Sequence, residues 1–189
     1  MDLFLALVVG IGASAACGFR VFLPPLVLGV LSRTGQFHLA PGFEWLGSTA
    51  ALVLFGTAAV VEIAAYFVPA FDNLLDVAAT PAAVAAGTLA TASVLGDVSP
   101  GLRWVIALVA GGGVASVVQL STVAVRGAST LMSGGVTNGA VASAELASSG
   151  SMTLLAVFAP FVALFIAVAL VVAAPWILLK LRRRAAERR

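Results

Sequence analysis

Acids and arginines set among apolar residues are the groups in this chain that could do chemistry. Glu62 lies inside the apolar run 49–68. A carboxylate within a hydrophobic span is costly and asks for a reason. It is either a proton- or cation-binding group facing the interior of a helix bundle, or a structural acid hydrogen-bonded to a Ser, Thr or Arg of a neighbouring helix. Counted from Thr49 it sits ~20 Å along a helix, in the outer half of a bilayer. Arg20 follows Gly18-Phe19 and precedes Pro24-Pro25. It could hold an anionic substrate or a phosphate headgroup, or it could snorkel to the interface and only set topology. Asp72 and Asp76 stand four apart on one helix face, either collecting a cation or forming a solvated face. A calcium site would need more oxygen ligands than this stretch supplies.

Arg126 opens a second candidate region, followed by Ser129, Thr130, Ser133-Gly134-Gly135, Thr137 and Asn138. Glycine-rich turns can form anion-binding nests. The same residues also suit a flexible loop or a broken helix lining a cavity. The phosphate-loop pattern with its lysine is missing, so nucleotide binding is unsupported. The candidate ion- or substrate-binding set is therefore Glu62, Arg20, Asp72, Asp76, Arg126, Ser133 and Asn138. His38 is the only histidine and Cys17 the only cysteine. A metal centre, an intrachain disulfide and a nucleophile-plus-base triad are not expected, and neither is a cofactor or an enzymatic role.

The elements that must position these groups are membrane helices. The 189 residues are 61% hydrophobic and 10% charged, with a mean hydropathy of +1.13. Soluble domains run near ~45–50% apolar and ~25% charged. Lipid is therefore the solvent, and the bilayer is the first partner. The charge is unevenly placed: of ten basic residues, six lie in KLRRRAAERR at the C-terminus. That cluster is a topology signal, not a nucleic-acid patch. Ser14-Ala15-Ala16-Cys17 faintly resembles a lipoprotein cleavage site, but no basic residue precedes it and Asp2 has the wrong sign.

The expected fold is all-α, with about five transmembrane helices: 2–19, 49–68 with Glu62, 81–96, 102–125 with Gly111 to Gly113, and 152–179, kinked near Pro160. Gly10/Ser14 and Gly12/Ala16 form close-packing faces, which could also support a homo-oligomer. Residues 21–32 are too short to span and carry two prolines, so a re-entrant or interfacial hairpin is expected. Residues 69–79 read as an amphipathic interfacial helix, with Thr80-Pro81 starting the next span. Ser99-Pro100 repeats that start. Residues 126–150 have no long apolar run. The whole forms one domain, 1–180, with a basic tail over 181–189.

The tail should stay in the cytoplasm, so five crossings place the N-terminus outside a plasma (inner) membrane. Arg20, Arg33 and Arg103 then fall inside, Asp72 and Asp76 fall outside, and Trp45, Trp104 and Trp176 all reach the cytoplasmic interface. Arg126 is on the unexpected side, and Arg20 and Glu62 lie toward opposite faces. GIGASAA at 10–16 echoes GGGVASV at 111–117, and 51–56 echoes 154–159. Two halves, 1–96 and 97–180, would be inverted repeats of the kind that recur in transporters. Chance matching of Ala/Gly/Val/Leu text is the alternative.

Gly18-Phe19-Arg20-Val21-Phe22-Leu23-Pro24, then Glu62 with Pro69-x-x-Asp72-Asn73-x-x-Asp76, then Arg126-x-x-Ser129-Thr130-x-x-Ser133-Gly134-Gly135-x-x-Asn138 resemble a bacterial membrane family catalogued as domain of unknown function 4126. The likeness covers nearly the whole chain. It departs at Ala65 to Pro69, where the family has an Asp–Lys pair, and at Gly139, where it has proline. The resemblance implies a small helical membrane protein and no activity. The function expected is a transporter or channel for a small ion or solute using an intramembrane carboxylate. The alternative is a non-transporting scaffold or lipid-binding protein.

Overall fold

The computed structural model describes residues 2–66 and 69–186, without the side chains of residues 67–76, 175, 177, 178 and 180–189. The described residues are helical, with no strand. The helices are α1 (Leu3–Cys17), α2 (Leu23–Arg33), α3 (Thr49–Tyr66), α4 (Pro69–Ala92), α5 (Pro100–Ser133), α6 (Asn138–Phe158) and α7 (Pro160–Ala186). A 3-10 turn, Glu44–Gly47, precedes α3. Three helices, α3, α5 and α6, are long and apolar enough to cross a membrane, and 3–17, 23–33, 77–92 and 160–174 form shorter apolar helical stretches. The chain is a helical membrane protein.

α1 is the axis of the bundle. It is uncharged and rich in Ala, Gly and Val, and it is capped by Asp2, whose carboxylate accepts from Leu5 N at 2.8 Å. An all-round apolar helix belongs in a core, and α1 packs against α4, α5, α6 and α7. The small residues Gly10 and Ser14 face α4, as their spacing suggests. Ser14 Oγ donates to Gly87 O at 2.7 Å, and Thr91 Oγ1 donates to Gly10 O at 3.1 Å. These bonds satisfy hydroxyls that lipid could not. α5 joins them through a π-helical turn, Ala107–Gly112, which sets Gly111 flush against α4. A Cβ on Gly111 would collide with Thr91 Oγ1 and Gly87 O.

Neighbour contacts fix the helix directions. Gly10 lies by Thr91 and Ser14 by Gly87, so α4 runs against α1. Gly111 lies by Ser14 and Val118 by Gly18, so α5 runs with α1. Ser149 Oγ donates to Ala16 O at 3.0 Å while Ala156 abuts Gly12, so α6 runs against α1. Phe161 stacks on Phe4 and Leu170 shares a cleft with Phe19, so α7 runs with it. The glycine-rich echoes at 10–16 and 111–117 therefore point the same way, whereas inverted copies would point oppositely.

Several boundaries differ from expectation, each for a local reason. Residues 23–33 form a single helix and not a hairpin, because Pro24 and Pro25 occupy its first turn, where N–H groups have no helical partner. α4 runs unbroken through Pro81. Membrane helices tolerate an internal proline where neighbours satisfy the freed backbone groups. The expected span 152–179 is divided at Ala159, whose ψ of 61° ends α6. Of the two readings for residues 126–150, the broken helix holds and the flexible loop does not: they are helical on both sides of a turn at Gly134 and Gly135 (φ 63° and 89°). Ser99 and Pro100 open α5 as expected. α7 continues to Ala186, into the tail; residues 187–189 lie outside the described set.

The topological markers also rearrange. Phe43 stacks on Trp104 at 5.9 Å and Trp45 on Phe55 at 6.3 Å. Arg103 donates to Pro41 O and Gly96 O, and Arg33 to Thr49 Oγ1. All of these lie at the end where α1 begins. Arg20 lies at the other end of α2 from Arg33, so the two do not share a face. Trp176 lies on α7 beyond Leu170, toward the end where α1 stops, so the three tryptophans do not share one interface.

Candidate functional site

The site is built on the break between α1 and α2. Gly18 to Phe22 leave the helical path, and the prolines restart it. That restart exposes backbone N–H groups at the N-terminus of α2, which need acceptors. Glu62 of α3 supplies them: Oε1 accepts from Val21 N at 2.8 Å and Oε2 from Phe22 N at 3.2 Å. The carboxylate also suits the positive end of a helix dipole. Glu62 is buried, but both oxygens are engaged by the chain. It grips the peptide immediately after Arg20, so Arg20 and Glu62 are neighbours and do not lie toward opposite faces.

Arg20 does not snorkel, since it is 1% exposed. Its Nη2 donates to Ala142 O at 2.7 Å and lies 3.3 Å from Glu145 Oε2. Arg126 Nη2 donates to the same Glu145 oxygen. Both guanidiniums lie over the Tyr66 ring, with Cζ of Arg20 4.3 Å and Cζ of Arg126 3.9 Å from its centroid. Arg20, Arg126, Glu145 and Tyr66 are all buried. One carboxylate and one aromatic ring thus hold two cations together, offsetting their repulsion by ion pairing and cation–π attraction.

The sequence had not singled out Glu145 or Tyr66. A signal for Glu145 exists: it is the only acid between Asp97 and Glu187. It also lies on the buried stripe Ala142, Glu145, Ser149, Met152, Ala156, which follows helical spacing. Arg126 sits correspondingly on the buried stripe Ala115, Gln119, Thr122, Arg126 of α5.

Of the remaining candidates, Ser133 and Asn138 close the α5–α6 hairpin. Ser133 Oγ donates to Ser129 O at 2.8 Å and accepts from Thr137 N at 3.2 Å; Asn138 Nδ2 donates to Thr130 Oγ1 at 2.8 Å. Val136 N and Asn138 N are likewise taken by Ser133 O and Gly135 O. Amides committed in this way do not make an open anion nest. Seven residues, or ~10 Å of helix, separate Ser133 from Arg126. The side chains of Asp72 and Asp76 lie outside those described.

Beside Glu145 a cleft of about 230 Å³ opens between α5 and α6. Phe19, Val118, Val125, Val141 and Leu170 give it apolar walls, and Ser121, Thr122 and Ser148 add hydroxyls. Glu145 is the only charged residue lining it.

An all-helical bundle with a buried ion network and an adjoining cleft defines a small polytopic membrane protein. The chain belongs to the family described as domain of unknown function (DUF4126), whose model matches residues 7–180. No curated protein and no solved structure matches it.

Proposed function

We propose that this protein is a small plasma (inner) membrane transporter or channel whose solute engages the Arg20–Glu145–Arg126 network through the α5–α6 cleft. The supporting observation is that the cleft is lined by Glu145, a buried carboxylate shared by two arginines. Ionisable groups at bundle interiors mark substrate and ion pathways. The carboxylate in question is Glu145, because Glu62 is committed to Val21 and Phe22. The tail's basic residues outnumber Arg33 and Arg103 at the opposite end and hold the C-terminus in the cytoplasm. Since α7 runs with α1, the N-terminus then faces outward. No chemical reaction is assigned to the chain.

A scaffold or lipid-binding role draws on one specific observation, the capping of α2 by Glu62, which makes that acid a structural part. Proteoliposome flux separates the two roles. Protons, chloride and short carboxylates would be followed across vesicles containing wild-type protein or Glu145→Gln. Transport predicts flux of at least one of these above protein-free vesicles, altered in the variant. Flux equal to empty vesicles for every solute would leave the scaffold.

A further inference from the structure

The cleft carries a pattern that specifies a class of molecule. Its walls are apolar apart from three hydroxyls, and the one charge it meets among the described residues is a carboxylate backed by two guanidiniums. The fold has therefore made a position for a single carboxylate beside a largely apolar slot, and its own Glu145 occupies that position.

Arg20 adds an independent observation. Its side chain is 1% exposed, yet Nε and Nη1 have no hydrogen-bond partner among the described residues. Buried charged donors left unsatisfied cost ~1–3 kcal/mol or more. Nε–H shares an edge with Nη2, so a carboxylate standing where Glu145 stands against Nη2 can also accept from Nε, while Nη1 lies on the opposite side. Phosphate monoesters fit less well, because a second negative charge would meet Glu145 and Glu62.

Building on the transport role above, we propose that the cleft binds amphipathic monocarboxylates, a single carboxylate on a short apolar chain. The ligand carboxylate takes the place of Glu145 against Arg20 and Arg126. Its chain lies along Phe19, Val125 and Leu170. The displaced Glu145 side chain turns toward the hydroxyls of Ser121 and Ser148. The ligand enters as the neutral acid and its proton passes to the displaced Glu145, so one carboxylate replaces another beside the arginines and the dry interior gains no charge.

The test is equilibrium binding to full-length protein in phosphatidylcholine nanodiscs, with octanoate as probe and octanamide as its uncharged isostere. Wild-type protein should bind octanoate at least about tenfold more tightly than octanamide, the scale of a charge-assisted hydrogen bond. In Glu145→Gln no carboxylate needs displacing, so octanoate should bind about tenfold more tightly still and should restore thermal stability lost by that variant. Ala144→Phe, on the exposed rim of the cleft, should abolish octanoate binding and remain folded, which gives a readout even if Glu145→Gln does not fold. Equal binding of octanoate and octanamide would mean that any chain, a lipid tail included, fills the slot, and would overturn the proposal. So would unchanged octanoate binding in Ala144→Phe. Octanoate binding without flux of any solute would refute transport and leave the site standing; flux of another solute that octanoate fails to compete with would do the reverse.

Discussion

Glu145→Gln should be among the most damaging single substitutions that leave side-chain volume unchanged. The variant removes the one carboxylate shared by Arg20 and Arg126. Both guanidinium carbons lie within 4.3 Å of the Tyr66 centroid, so they stand no more than ~8 Å apart, and at an effective dielectric of ~20 two unit charges at that distance repel by ~2 kcal/mol. Breaking a buried pair by removing one partner costs about 3–5 kcal/mol, because the remaining charge stays desolvated. A loss of ~3 kcal/mol would lower the midpoint of unfolding by about 6–12 °C in a chain of this length. Thermal unfolding of detergent-solubilised protein, read by size-exclusion fluorescence, measures it. Arg126→Gln alone and the double Arg126→Gln/Glu145→Gln complete a cycle. The double variant removes one charge of each sign and should recover part of the loss, giving a coupling of ~2 kcal/mol or more. A Glu145→Gln midpoint within 1 °C of wild type, or strictly additive losses in the cycle, would refute a shared buried carboxylate.

Glu62→Gln keeps the length of the side chain but loses charge-assisted acceptance from Val21 N and Phe22 N. It should destabilise the fold by about 1–3 kcal/mol, and hydrogen exchange should speed up at those two amides first; unchanged protection there would exclude the cap. Gly111→Val puts a branched side chain where α5 meets Thr91 and Gly87. It should cost about 1–3 kcal/mol through overpacking, whereas Gly113→Val, at a position with open space beside it, should be tolerated. Equal melting temperatures for those two variants would argue against the tight α4–α5 contact.

α3 could be read directly, because 49–66 is an apolar run whose single charge is Glu62. α5 could be read from Ser99-Pro100 onward, and the Gly10/Ser14 face from its four-residue spacing. α6 was far less visible. Its first half is Ala, Ser and Gly, which carry little hydropathy, and what makes it a helix of the bundle is the closeness with which small residues approach α1. Pro24 and Pro25 read as breaks and Pro81 as a helix start, whereas proline's effect depends on where in a helix it falls and on which neighbours satisfy the backbone.

The sequence alone determined that lipid surrounds this chain, that it is helical, and that Arg20, Glu62 and Arg126 are unusual in such surroundings. Hydropathy and charge are local properties, and they survive in one dimension. Only the tertiary structure decided what those residues do. Glu62 and Val21 are 41 positions apart, and Arg20 and Ala142 are 122 apart. No local pattern encodes pairings at that separation. They exist because α1 is buried beyond its first turn and packs against α5 and α6, while α3 reaches the break after it through Glu62, where a buried cation must find an acceptor.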